Sequence, residues 1–364
     1  MIDAIRALLR PELGELSSYV PADPPGIVAR LDANEAPAPS SPAVRDAVLR
    51  ALSALPMERY PDARATALKA AIGARTGAAP DDLLIGTGSD EVIALLMNAL
   101  ARPREGLPQG VVLSPTPTFV MYRVTARVHG LKPVEVPLDA EWDLDVASMT
   151  RAIDLMRPSI VFIASPNNPT GNRMSEAKLA ALLEAARESV VVIDEAYVDY
   201  AGDSLRAWRA HYPHLVILRT LSKLGLAALR VGWMEGDPEL VREIDKGRQP
   251  FNVSASSQVA ATAVLNDAWD AVAAQSAAVV KERTRVAAEL TRMGGLTVTP
   301  SDANFLWVKT TRAAEDVYAD LARRGVLVRS FHASGGRLAR QLRITIGSPS
   351  DDDRLLEALA GIAR

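Results

Sequence analysis

The feature that most constrains this chain is a set of short runs without a single polar residue. Ile160-Val161-Phe162-Ile163-Ala164, Val190-Val191-Val192-Ile193 and Leu215-Val216-Ile217-Leu218 are too short for ordinary helices. They are also too uniformly apolar for strands with one face in water. A strand that is apolar at every position is buried on both faces, which requires a mainly parallel sheet with helices on either side. Further strands are expected from Leu83 and at Val111–Leu113, Pro133–Val136 and Val231–Met234, with helices at 42–55, 62–76 and 175–188 and another opening on Ser89 or Asp90. The expected fold class is α/β, with a mainly parallel seven-stranded sheet covered by helices.

At 364 residues the chain has length for a second, smaller domain. The texture changes after Gly236-Asp237-Pro238. A helix is expected over 238–248 and a long alanine-rich helix over 255–293, then strands at 296–299 and 304–308 and a helix at 312–324. Strands at 326–329 and 341–346 and a helix at 350–363 complete the pattern. This mixture marks a smaller α+β domain over 248–364 that follows a large domain over 31–247. At the other end, residues 2–10 read as a short amphipathic helix stopped by Pro11, and 19–42 carry six prolines. Residues 1–30 are therefore expected to form an N-terminal arm lying on the small domain or on a partner subunit.

Composition removes several chemistries. There is no cysteine, and the four histidines have no metal-ligand spacing, so no metal site is expected. The net charge is −3 without a basic stripe, which argues against nucleic acid. No uncharged apolar run approaches the ~20 residues of a membrane span, and Met1-Ile2-Asp3-Ala4-Ile5-Arg6 does not read as a signal peptide. A cytoplasmic protein without membrane contact is the expectation.

Chemistry gathers where the strands run out. After Leu218 come Arg219-Thr220-Leu221-Ser222-Lys223, with Arg230 seven residues beyond the lysine. A lysine at the end of a buried strand can lose hydration, which leaves a nucleophilic amine able to condense with an aldehyde. Gly86-Thr87-Gly88-Ser89-Asp90-Glu91 brings a glycine turn to a helix start, a site suited to phosphate. Val190–Ile193 ends on Asp194-Glu195-Ala196-Tyr197. A nucleotide-hydrolysing reading of that acid needs a GxxxxGK[ST] loop, which this chain lacks, leaving a carboxylate beside a ring cation. Ser165-Pro166-Asn167-Asn168-Pro169-Thr170-Gly171 would aim Asn168 into the crevice at a strand's carboxyl end. Phe119 or Tyr122 could stack on a planar ring. Singly, each has a plain structural reading: a surface lysine, a tight turn, a loop, a core aromatic. Jointly and in this order they match phosphate, ring, phenolic oxygen, ring nitrogen and aldehyde, the parts of pyridoxal 5′-phosphate.

From Tyr19 to Gly347 the chain resembles the fold-type I pyridoxal-phosphate aminotransferases, and within them the histidinol-phosphate aminotransferases. Leu31-Asp32-Ala33-Asn34-Glu35-Ala36-Pro37, Arg59-Tyr60-Pro61-Asp62, the Gly86–Glu91 turn and Arg343-Ile344-Thr345-Ile346-Gly347 carry the likeness. The resemblance implies that Lys223 is the catalytic residue, bonded to the cofactor aldehyde. It implies that Asp194 faces the ring nitrogen and that Tyr197 and Asn168 face the phenolic oxygen. Ser89, Asp90, Glu91, Ser222 and Arg230 would surround the phosphate, Thr220 would also bind the cofactor, and Phe119 or else Tyr122 would lie on the ring. Tyr60 would reach the cofactor of a partner subunit, making the active unit a homodimer with shared sites. Tyr19, Asn34, Asn168, Arg329 and Arg343 would bind substrate. The implied reaction converts L-histidinol phosphate and 2-oxoglutarate to imidazole-acetol phosphate and glutamate, a step of histidine biosynthesis. An aromatic or broad-range amino-acid aminotransferase and a threonine-phosphate decarboxylase remain the alternatives.

Overall fold

Side chains on a strand alternate between its two faces, so an all-apolar strand needs cover on both. The computed structural model describes residues 2–18, 20–39 and 41–361. Its strands are β1 (Ala29–Leu31), β2 (Leu83–Thr87), β3 (Val111–Thr116), β4 (Lys132–Pro137), β5 (Ile160–Ala164) and β6 (Val190–Asp194). They continue with β7 (Leu215–Thr220), β8 (Val231–Glu235), β9 (Leu296–Thr299), β10 (Phe305–Thr310), β11 (Val326–Ser330) and β12 (Gln341–Thr345).

Seven of them form one sheet in the order β2-β8-β7-β6-β5-β3-β4. Pairing is parallel from β7 through β6, β5 and β3 to β4, and β8 alone is reversed between β7 and β2. The alternation is visible in the cores. Val112, Phe162, Val192 and Leu218 pack on one face with the helix Gly88–Ala99. Leu113, Val161, Ile163, Ile193 and Ile217 pack on the other with the helix Glu176–Ala185. The sheet is covered on both sides, as the apolar runs require.

The second sheet has the order β1-β11-β12-β10-β9. Its edge strand β1 runs parallel to β11, pairing Ala29 with Val326 and Leu31 with Val328. The 30/31 boundary expected from sequence thus falls inside a strand of the small sheet. The helix expected over 255–293 is broken at Ala268 into Ala255–Asp267 and Trp269–Arg292. The break serves two packings. The first piece lies on the helices Ala43–Ser53 and Thr66–Thr76, and the second on β9 and the helix Pro349–Ala360. That last helix begins with a capping box, Ser348 and Asp351 each satisfying the other's backbone N–H. The N-terminal helix is shorter than expected, Ile2–Arg6, and Pro11 opens a 3₁₀ turn, Pro11–Glu15. Among the described residues no helix is long and apolar enough to cross a membrane.

Candidate active site

Parallel strands end on one side of their sheet, so the polar residues that follow β2, β3, β5, β6 and β7 are gathered at a single edge. The reversed strand β8 begins at that same edge, which brings Arg230, the residue before it, among them. Residues that lie far apart along the chain are thus collected by topology alone.

The turn after β7 carries Lys223, half-buried in Ser222–Leu226, with Gly225 in the left-handed region at φ 77°. Tyr200 Oη donates to the carbonyl of Lys223 and fixes the turn. Asp194 stands in register with Ala164 of β5 and with Leu218 of β7, and Leu218 is five residues before Lys223. Burial drives the Asp194 carboxyl up to about 6 from its ordinary 3.8, against the opposing pull of Tyr122, the Ala196 N–H and Lys223. Tyr122 Oη donates to Asp194 Oδ2 at 2.6 Å, and Ala196 N donates to Oδ1 at 3.0 Å.

At the start of the helix Gly88–Ala99, Arg230 folds back over Gly88. Its Nη1 donates to Ser222 Oγ at 3.2 Å, and its Nη2 lies 3.7 Å from Asp90 Oδ2. A Cβ on Gly88 would fall 2.4 Å from that guanidinium, and one on Gly232 would fall 2.3 Å from Ser89 N. Glycine is needed at both positions to bring an arginine and a helix N-terminus together.

Asn168, after β5, accepts from Arg343 Nη1 at 2.6 Å, and Arg343 Nη2 donates to the carbonyl of Asp32. Arg343 on β12 is paired in register with the exposed Arg329 on β11. Burial pushes the Asp32 carboxyl up while Arg30, Arg343 and Arg329 pull it down, which places all three guanidinium groups within its field. Tyr197 is buried and its ring lies edge-on to Phe305 of the small sheet. Tyr60 is 81% exposed and stacks on Phe251, with centroids 4.6 Å apart. Tyr19 lies outside the described residues.

Four expectations are corrected. Tyr122 cannot be a platform for a ligand ring: it is fully buried and stacked on Phe162 at 4.6 Å and 11°, while Phe119 is half-buried and meets it edge-on. Thr220 does not face the crevice, because its Oγ1 accepts from Ser222 N and lies within bonding distance of Ser222 Oγ and Val231 O. Glu91 turns back to accept from Thr87 N and Asn252 Nδ2, capping its own helix. Asn34 is not a substrate contact, being 1% exposed with its amide between Tyr197 and Thr345.

One residue was missed by the sequence reading, and the role of another was misassigned. Asn167 is fully buried and holds its loop by donating to Pro117 O and Thr170 Oγ1 and accepting from Thr118 Oγ1. Tyr122 is the hydrogen-bond donor to Asp194. An Asn-Asn pair and an aromatic repeat flagged both stretches, but nothing in the order of residues says which member turns inward.

Comparison with known proteins gives the same picture. A family model described as aminotransferase class I and II matches residues 27–359. The chain is 37% identical over 360 residues to histidinol-phosphate aminotransferase 2 of Nitrosococcus oceani, covering 98% of each chain. It is 40% identical over 357 residues to histidinol-phosphate aminotransferase of Methylibium petroleiphilum, covering 97% of this chain and 94% of the other. Among solved structures, histidinol-phosphate aminotransferase of Sinorhizobium meliloti in complex with pyridoxal-5′-phosphate superposes with a TM-score of 0.84 at 25% identity, covering 98% of this chain and 97% of that one.

Proposed function

Because the chain belongs to the class I and II aminotransferases, and within them to the histidinol-phosphate aminotransferases, we propose that the strand-end cluster carries out transamination of L-histidinol phosphate with 2-oxoglutarate through pyridoxal 5′-phosphate. The products are imidazole-acetol phosphate and glutamate. The observation that carries the reading is the placement of Lys223 and a buried Asp194 after adjacent strands, where the lysine acts on the carboxyl, beside glycines that bring Arg230 and a helix start together.

The residues fit the cofactor. The N–H groups of Ser89 and Asp90, the Ser222 hydroxyl and the Arg230 guanidinium suit its phosphate. Asp194, once ionised, suits a protonated ring nitrogen. Phe119 is the aromatic with a face to offer the ring. When bound, the cofactor supplies an aldehyde that captures amines and a ring that withdraws electrons from the captured carbon.

The protein's part is positioning and proton transfer. A guanidinium only donates, so Arg343 takes the oxygen of Asn168, and the amide N–H of Asn168 is the group that would donate to the cofactor's phenolic oxygen. Lys223 Nζ would take the proton from the substrate's Cα and, as the acid, would deliver it to the carbon of the cofactor's former aldehyde. Arg343, backed by Asn168 and the Asp32 carbonyl, presents a fork to the carboxylate of glutamate or the phosphate of histidinol phosphate. Arg329, in register beside it, adds a second positive charge that favours the phosphate dianion. Exposed Tyr60 reaches the cofactor of a second copy, so the working unit is a homodimer acting in the cytoplasm.

A half-reaction screen tests this reading. Cofactor-loaded protein is mixed separately with histidinol phosphate, glutamate, phenylalanine and threonine phosphate, and the cofactor's absorption is followed together with CO₂ release. Histidinol phosphate and glutamate should each convert the cofactor to its amine form. Carbon dioxide from threonine phosphate, without conversion by histidinol phosphate, would overturn the assignment.

A further inference from the structure

The segment after β1 crosses between the two sheets, and Asn34 lies in it with φ 55°, a left-handed conformation that asparagine tolerates better than most residues. Every polar group of this residue is used. Its backbone N donates to Thr345 Oγ1 at 3.0 Å and its carbonyl accepts from Asn304 Nδ2 at 3.0 Å. Its side-chain Nδ2 donates to Tyr197 Oη at 2.9 Å, and its Oδ1 accepts from Thr345 Oγ1 at 3.3 Å.

The orientation of the amide follows from Thr345. That hydroxyl is 1% exposed, already accepts from Asn34 N, and needs an acceptor for its own proton. Asn34 Oδ1 is that acceptor, so Nδ2 must face Tyr197. An amide N–H that donates to a phenol oxygen leaves the phenol's own proton to be given elsewhere. Asn34 is the one protein partner of Tyr197 Oη among the described residues. The remaining direction is the crevice.

We propose that Asn34 is a positioning residue that fixes the hydroxyl of Tyr197 as a donor into the cofactor crevice, with Thr345 and Asn304 of the small sheet setting Asn34 in turn. The inference rests on the cofactor reading above. It goes further in tying the small sheet to the hydrogen bond at the cofactor's phenolic oxygen. A donor at that oxygen draws off negative charge that would otherwise hold a proton on the neighbouring nitrogen. Losing the donor therefore raises the pH at which the bound cofactor's visible band titrates.

The readout is that titration midpoint, measured by absorbance on cofactor-loaded protein. Asn34→Gly keeps the left-handed backbone and removes the amide. It should raise the midpoint by about one pH unit or less, in the direction of Tyr197→Phe, since one hydrogen bond to a charged group is worth roughly that much. In the Tyr197→Phe background, Asn34→Gly should add nothing. Thr345→Val, which frees the amide to turn, should move the midpoint the same way and by less, and it stands in if Asn34→Gly fails to fold. A wild-type midpoint in both Asn34→Gly and Thr345→Val would overturn the inference. So would an equal shift by Asn34→Gly with and without the Tyr197 hydroxyl. A wild-type protein with no visible band after incubation with pyridoxal 5′-phosphate would overturn the cofactor reading itself, and this inference with it.

Discussion

Tyr122 holds Asp194 from within the core, its hydroxyl 2.6 Å from Asp194 Oδ2 and its ring stacked on Phe162. A donor to a carboxylate favours the charged form, so this tyrosine opposes the burial that drives Asp194 up to about 6. Tyr122→Phe removes that opposition. The Asp194 carboxyl should then titrate above 6, as followed by its infrared carboxyl band in cofactor-free protein. A lower or unchanged titration would contradict the role given to Tyr122.

The same acid makes a prediction about stability. The folded pKa of Asp194 is raised above its ordinary value, so the folded protein binds more protons than the unfolded chain between pH 4 and 6. Its contribution is therefore most favourable below that window and is lost as pH rises through it. Relative to Asp194→Asn, cofactor-free wild type should lose about 3 kcal/mol of unfolding free energy between the bottom and the top of the window. Denaturant melts at several pH values measure the difference, and a gap that widens in favour of wild type as pH rises would refute the sign.

Lys223 is the only group assigned to move a proton. Lys223→Ala should abolish turnover and still bind cofactor without a covalent bond, read as retained fluorescence after gel filtration with no borohydride-stable label. Turnover at the wild-type rate would remove the lysine from the mechanism.

Glycines at 88 and 232 are predicted to separate binding from folding. Gly88 has φ 77° and the Arg230 guanidinium directly above it. Gly88→Ala should weaken cofactor affinity by about 10-fold or more, because one charge-assisted contact to the phosphate is displaced. Gly232→Ala meets backbone, the Ser89 N and the Gly88 carbonyl carbon, rather than a mobile side chain. It should lower stability by about 1–3 kcal/mol. Alanine at φ 77° also strains the backbone, so both variants lose stability, and wild-type cofactor affinity in Gly88→Ala is the result that would dissolve the distinction.

Arg343 and Arg329 face one another across β11 and β12. Arg343→Ala should reduce kcat/KM in both half-reactions by about 100-fold, the loss typical of a buried hydrogen-bonded charge. Arg329→Ala should raise KM for histidinol phosphate more than for glutamate. Selective loss of a single half-reaction in Arg343→Ala would show that the two substrates do not share it.

The architecture of the large sheet was written in its strands. Residues such as Val161 and Phe162 sit side by side in sequence and pack on opposite faces, so burial on both faces leaves a run of apolar residues that needs no structure to be read. Strand β1 left no such mark. Its three residues, Ala29-Arg30-Leu31, take their place only by pairing with Val326-Leu327-Val328 almost a full chain length away. The reactive positions were legible in the same uneven way. Lys223, Asp194 and Asn168 each follow an apolar run, and topology brings the ends of parallel strands to one edge.

The α/β layering and the segments that carry the chemistry were readable from residue order, since periodicity and strand-end residues are local properties of the chain. Which polar atoms turn inward and which serve the scaffold became visible only once the chain was folded. Tyr122, Thr220, Glu91 and Asn34 all come from the right segments, yet their hydrogen bonds run to Asp194, Ser222, Asn252 and Tyr197. The physical reason is that a buried donor or acceptor must find a partner wherever packing supplies one, and that partner is set by distant strands that sequence neighbours do not specify.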